Sequence, residues 1–119
     1  MGLPFKLGKF DLSDYETGAL LVDLIDDGFY TSFEQFEDET SPITGIRVFD
    51  IVTVIHEGQA YHLARMHDGF NNGSPHVSMY VNQLYIYENL YDAEVKLQRM
   101  IDEFLEFQKT IIIPGTATI

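Results

Sequence analysis

The sequence predicts a small, soluble, strongly acidic α+β domain. The expected architecture is an antiparallel sheet of three central strands with short terminal edge strands, packed against two main helices on one side. Three observations predict this class. Segments 14–27 and 90–109 carry apolar residues at helical spacing. Three segments between 46 and 87 are rich in β-branched and aromatic residues, and turn residues punctuate the chain between elements. Strands grouped together and flanked by helices give α+β and not alternating α/β. At 119 residues the chain suits a single domain, 1–119, with room for one core. A hydrophobic content of 45%, with nine Phe and seven Tyr, makes that core an ordered one.

Leu3 to Phe10 alternates through Phe5 and Leu7 and predicts a short edge strand. Ser13-x-x-Glu16 has the form of a capping box, the apolar positions Leu20, Leu21, Leu24 and Ile25 follow, and Gly28 ends the run, so a helix is expected over Asp14–Asp27. Asp23, Asp26 and Asp27 stand in its last two turns, where negative charge opposes the macrodipole. Phe29 to Ser41 has two readings. Thr31-x-x-Glu34 would cap a short helix with Phe33 and Phe36 facing the core, whereas Phe29, Thr31 and Phe33 also alternate as in a strand. Ser41-Pro42 and Thr44-Gly45 mark a turn.

Ile46–His56 and Gln59–His67 form a hairpin about Glu57-Gly58. With His56 opposite Gln59, Val54 meets Tyr61, Val52 meets Leu63, Asp50 meets Arg65, and Arg47 meets Asp68 on the other face. Both faces are then largely apolar. One should take the helices and the other a further chain segment or a partner. Asp68–Pro75 is a turn-rich loop and Val77–Tyr87 a third strand. Asn89 caps a helix running from Leu90 to Lys109, whose stripe is Ala93, Leu97, Met100, Ile101, Phe104 and Leu105. Ile111–Ile113 before Pro114 reads as a short edge strand. The order is therefore β-α-α-β-β-β-α-β.

Composition narrows function more by exclusion than by signal. Cys is absent, which removes disulfides, thiolate nucleophiles and Cys-ligated metals. The start, MGLPFKLGKF, has no long apolar run, so no signal peptide is expected, and Lys6 spoils the myristoylation pattern begun by Met1-Gly2. No stretch approaches the roughly 18 apolar residues of a membrane span. A cytoplasmic location is expected, the host cytoplasm or the virion if the source is viral. Nineteen Asp and Glu against seven Lys and Arg give a formal charge of -12. That field repels nucleic acid and anionic membrane, so neither is expected as a direct partner, and it favours a basic protein. Its size exceeds the roughly 2 to 8 charges that suffice for solubility.

No pattern for chemistry survives weighing. His56, His62, His67 and His76 cluster in or near the hairpin. The register puts His56 and His67 about 27 Å apart at about 3.4 Å per residue, with His62 on the opposite face, so no shared metal is expected. Ser74 and Ser78 lack a strand-to-helix elbow, and His67 and Asp68 point to opposite faces. DGFNNGSP lacks the basic residue of a phosphate loop and has Met79 where a calcium loop needs Glu. Tyr80, Tyr85, Tyr87 and Tyr91 lack the basic groove of a nucleic-acid stacking platform and suit a protein interface better. No catalytic residue, cofactor or metal ligand is assigned.

The leading expectation is a non-enzymatic protein-interaction or assembly subunit, such as a structural component of a viral particle, acting through protein partners or self-association. Its interface residues would be Tyr30, Phe70, Asn71, Tyr85 and Ile112. The alternative is an acidic inhibitor or nucleic-acid mimic that blocks a basic nucleic-acid-binding protein. Its acidic face would hold Asp23, Asp26, Asp27, Glu34, Glu37, Asp38 and Glu39, with Asp102, Glu103 and Glu106 on the second helix. A second alternative is a small enzyme or ligand-binding domain, which would need a deep pocket beside the histidines.

Overall fold

The computed structural model describes residues 6–41, 45–69 and 81–117, with side chains as far as residue 110. Its elements are β1 (Gly8–Lys9), α1 (Tyr15–Asp26), β2 (Phe29–Glu37), β3 (Ile46–His56), β4 (Gln59–Asp68), β5 (Val81–Tyr87) and α2 (Leu90–Ala117). The five strands form one antiparallel sheet in the order β1-β5-β4-β3-β2. The class is α+β, as the sequence predicts.

The β3–β4 hairpin pairs in the expected register throughout, from Arg47 opposite Asp68 to His56 opposite Gln59. Its turn is of the two-residue kind in which both central residues have positive φ, at Glu57 (52°) and Gly58 (82°). That backbone matches the right-handed twist of the strands it joins.

Because side chains alternate along a strand, the hairpin has two apolar faces, and each takes its own helix. Val52 and Val54 of β3, with Tyr61, Leu63, Leu84, Ile86 and Phe10, pack against Leu21 and Ile25 of α1. On the reverse face Phe49, Ile51 and Ala64 pack against Ala93, Leu97, Met100, Ile101 and Phe104 of α2. The expectation that both helices lie on one side is therefore corrected. A sheet apolar on both faces leaves one uncovered if both helices share the other, and α2 covers it.

Three local readings change as well. The helix start is capped by Asp14, whose side chain accepts from the Thr17 N–H, while Ser13 donates to Asp11 Oδ1 at 2.7 Å instead of capping. Segment 29–37 is a strand and not a short helix. A bulge between Tyr30 and Ser32 turns Tyr30 and Phe33 to the same face, beside Val52 and Asp50, although they are three apart. Phe36 points the other way, opposite Arg47, and joins Phe49 and Phe104 in an aromatic cluster with ring centroids 5.4 to 6.3 Å apart. Finally, Ile111–Ile113 lie inside α2 and do not form an edge strand. The preceding turn is already helical, with the Thr110 hydroxyl donating to Glu106 O at 3.1 Å, and extending an existing helix is favourable even through residues of middling propensity. The expected strand start at Val77 and the 68–75 loop lie largely outside the described residues.

Candidate interaction surface

Two charged groups are drawn into the fold and so leave the surface. Asp50 and Arg65, opposite one another in the register, are fully buried. Arg65 Nε and Nη2 donate to Asp50 Oδ1 and Oδ2, both at 2.8 Å, and His67 Nε2 lies 3.0 Å from Oδ2. Burial pushes the Asp50 carboxyl up, but the His67 hydrogen bond and the Arg65 charge and hydrogen bonds outweigh it, so its pKa is lowered. His67 Nδ1 is buried without a hydrogen-bond partner among the described residues. The second group joins the ends of β2, β3 and α2. Arg47 is held by Asp38 through Nε and Nη2, donates from Nη1 to Asn82 Oδ1 at 3.1 Å, and stands over the Phe104 ring. Gln108 of α2 donates to Asp38 Oδ1 at 3.2 Å. Asp68 Oδ1 lies 3.2 Å from Arg47 Nε, within ion-pair reach but outside hydrogen-bond geometry.

The histidines do not converge. His67 is internal, His62 Nδ1 meets Thr53 Oγ1 at 2.8 Å on the α2 side, and His56 lies 3.7 Å from Glu57. His76 lies outside the described residues. Among the described residues no group of three or more His, Asp or Glu could hold a metal ion, and no described helix is long and apolar enough to cross a membrane.

What remains on the surface divides by region. Between Lys9 and Arg47 there are ten acidic residues and no Lys or Arg. Of these only Asp38 is turned inward; Asp11, Asp14, Glu16, Asp23, Asp26, Asp27, Glu34, Glu37 and Glu39 are all exposed. Residues 47–119 hold nine acids against five bases. Asp102, Glu103 and Glu106 on α2 are exposed but interspersed with Arg99 and Lys109, and Asp102 accepts from Gln98 at 2.9 Å. The helix-two acids are thus interspersed with bases in the sequence, unlike the acid-only stretch between Lys9 and Arg47.

Of the interface residues expected from sequence, Tyr30 and Tyr85 stand on opposite faces of the sheet. Tyr30 is half-buried, its ring 5.6 Å from that of Phe33. Burial and the Asp50 charge raise its phenol pKa, with Arg65 acting against them. Tyr85 packs against the α2 core with Lys96 Nζ 4.2 Å from its ring centroid. Phe70 and Asn71 lie outside the described residues, and Ile112 falls on α2 without side-chain description.

Sequence reasoning missed a groove. An open apolar cleft of about 520 Å³ runs between α1 and the β5 border of the sheet. Leu12, Tyr15, Ala19 and Val22 form its outer wall, its floor is the α1-side core at Phe10 and Leu84, and Asp14 and Asp23 also line it. The signal was present, since Leu12, Tyr15 and Val22 are apolar residues off the Leu20–Leu21–Leu24–Ile25 stripe that holds α1. They are exposed at 47%, 85% and 40%.

No protein family, curated protein or solved structure matches this chain. The fold and surface define a class, a small α+β domain with a core on each face of its sheet and one acid-only stretch of chain.

Proposed function

We propose that the protein is a non-enzymatic protein-interaction module whose α1–β2 side engages a basic surface on a protein partner. The observation that carries this reading is the stretch between Lys9 and Arg47, ten acids without a base, nine of them exposed, which spans α1, β2 and the segments that flank them. Such a one-signed field speeds encounter with a basic partner and disfavours acidic ones. It is also kept at a local cost. Asp26 ends α1 and Asp27 caps it, with no basic residue in the last turn to offset the macrodipole. Where the partner's basic surface is one that normally holds nucleic acid, occupancy of that surface makes the module an inhibitor.

Assembly with copies of itself is a second reading. It rests on α2, where Tyr91, Val95, Leu105 and Phe107 are exposed at 69%, 45%, 40% and 51%. Sedimentation across a concentration range tests it, and a constant monomer mass would remove it.

The principal test is capture of partners from the producing cell at low and high salt, with two triple variants of equal charge change. Asp23→Lys/Asp26→Lys/Asp27→Lys should lose a basic partner that the parent retains at low salt. Asp102→Lys/Glu103→Lys/Glu106→Lys should keep it. The opposite pattern, or recovery indifferent to salt and to both variants, overturns the reading.

A further inference from the structure

We infer that the groove beside α1 receives an α-helix of the partner, apolar along one stripe and carrying Lys or Arg on its flanks; the inference rests on the basic-partner reading above. Four observations converge on this occupant. The outer wall follows a helical stripe, Tyr15, Ala19 and Val22 being spaced four and three apart, which presents a ridge to a second helix lying alongside. The middle of the wall is low. Gly18 and Ala19 are the smallest residues of α1, and a Cβ added at Gly18 would meet no heavy atom of the described residues within 4 Å. Among the described residues nothing fills the space above Gly18, where the ridge of an incoming helix would pass.

The cleft opens directly onto the core, so side chains entering it reach the buried Phe10 and Leu84 and would cover the exposed Leu12, Tyr15 and Val22. Its volume of about 520 Å³ lies within the roughly 300–1,000 Å³ of sites that take substantial apolar groups.

Charge complementarity supplies the fourth observation. Asp14 and Asp23 line the groove nine residues apart in sequence, about 13.5 Å along α1 at 1.5 Å per residue. Among the described residues no Lys or Arg lines the groove. A helix with cations near both ends of its apolar stripe meets a carboxylate at each, whereas an acidic or neutral helix leaves them facing apolar side chains. Recognition by an apolar stripe seated in a groove with charged flanks is a recurring helix-in-groove mode.

The experiment titrates a capped 18-residue helical peptide of Leu, Ala and Lys, with its leucines on one stripe, into the isotope-labelled full chain at low salt. A peptide of identical composition with the stripe scrambled is the control. The expected result is saturable amide shifts centred on Tyr15, Gly18, Ala19 and Val22 and on the start of β5, with roughly tenfold weaker binding of the scrambled peptide. Gly18→Leu fills the groove without altering charge and replaces a glycine inside a helix by a better helix former. It should weaken the striped peptide by roughly tenfold or more while the melting temperature does not fall, so loss of binding cannot be laid to loss of fold. Shifts confined to β2 and the carboxylates of Asp26 and Asp27, or a Gly18→Leu chain that binds as well as the parent, overturn the groove and leave the basic-surface reading standing. Failure of both peptides to bind at low salt overturns both.

Discussion

The two faces of the sheet carry similar cores but hold their helices differently. α2 buries Ala93, Leu97, Met100, Ile101 and Phe104 across β3, β4 and β5, has its aromatic cluster above Arg47, and is tied at its far end by Gln108 to Asp38. α1 buries only Leu21 and Ile25, borders an open groove, and shares its side of the sheet with a buried charge group. The contrast puts the more extensive helix packing on the α2 side and the open groove on the α1 side. On the proposed reading, a surface that a partner covers is left partly uncovered in the free chain, and the elements that bear it are expected to open more readily than α2.

The largest expected effect is at Asp50. Asp50→Ala leaves Arg65 charged and fully buried, and removing one member of such a pair costs about 3–5 kcal/mol. Urea unfolding should show the loss, and replacing Asp50, Arg65 and His67 together by apolar residues of similar volume should recover much of it. The matching change on the other side, Asp38→Ala, should cost less, because Arg47 is 14% exposed and keeps Asp68 nearby. Equal costs would break the contrast between the two sides.

Next in size is Gly28→Ala, at the junction of α1 and β2. A Cβ there would stand 2.8 Å from Val52 Cγ1 and 2.9 Å from the Thr53 carbonyl oxygen, and the latter cannot swing away. Overpacking of this kind costs about 1–3 kcal/mol. Hydrogen exchange should show the damage in α1 and β2 while α2 stays protected; uniform loss would mean that the two sides open as one unit.

Acid should separate the sides by pH. The Asp50 carboxyl has a folded pKa below its unfolded value, so its contribution is present above about pH 3.9 and is lost as pH falls through the folded pKa. His62, on the α2 side, is lowered by burial, with Glu94 acting in the opposite sense. The unfolded chain therefore takes up its proton first, and stability should already decline as pH drops below about 6.5. Melting temperature followed from pH 8 to 3 should show a shallow early step that His62→Gln removes. A steeper acid step should shrink in Asp50→Asn relative to that variant's own value at pH 7. An early step that survives His62→Gln would place it on another group.

How far the fold was legible follows from which periods the residues impose. The β3–β4 register was readable because a one-residue slip would oppose Asp50 and Arg65 to apolar residues and flip both cores. The onset of α2 was readable from Asn89, whose side chain accepts from the Tyr91 N–H at 2.8 Å. The side taken by each helix was not, since a hairpin apolar on both faces accepts a helix on either. β2 was ambiguous because its bulge puts Tyr30 and Phe33 on one face at a spacing that also fits a helix. Of the candidate surface, the acid-only stretch stood in plain view, whereas the groove depends on Gly18 and Ala19, whose contribution is the space they leave empty.

That emptiness yields the smallest effect and the sharpest separation of stability from recognition. Gly18→Ala places a methyl group where no described residue lies within 4 Å, at a helical position without positive φ. It should therefore add about 0.5–1 kcal/mol through reduced freedom of the unfolded chain, a rise visible in the melting temperature. If Gly18→Ala stabilises the free chain but weakens partner binding, the glycine is kept for the groove and against stability, the trade expected of a recognition element. If it destabilises, the space above Gly18 is already occupied in the free chain, and the groove is part of the protein's own core.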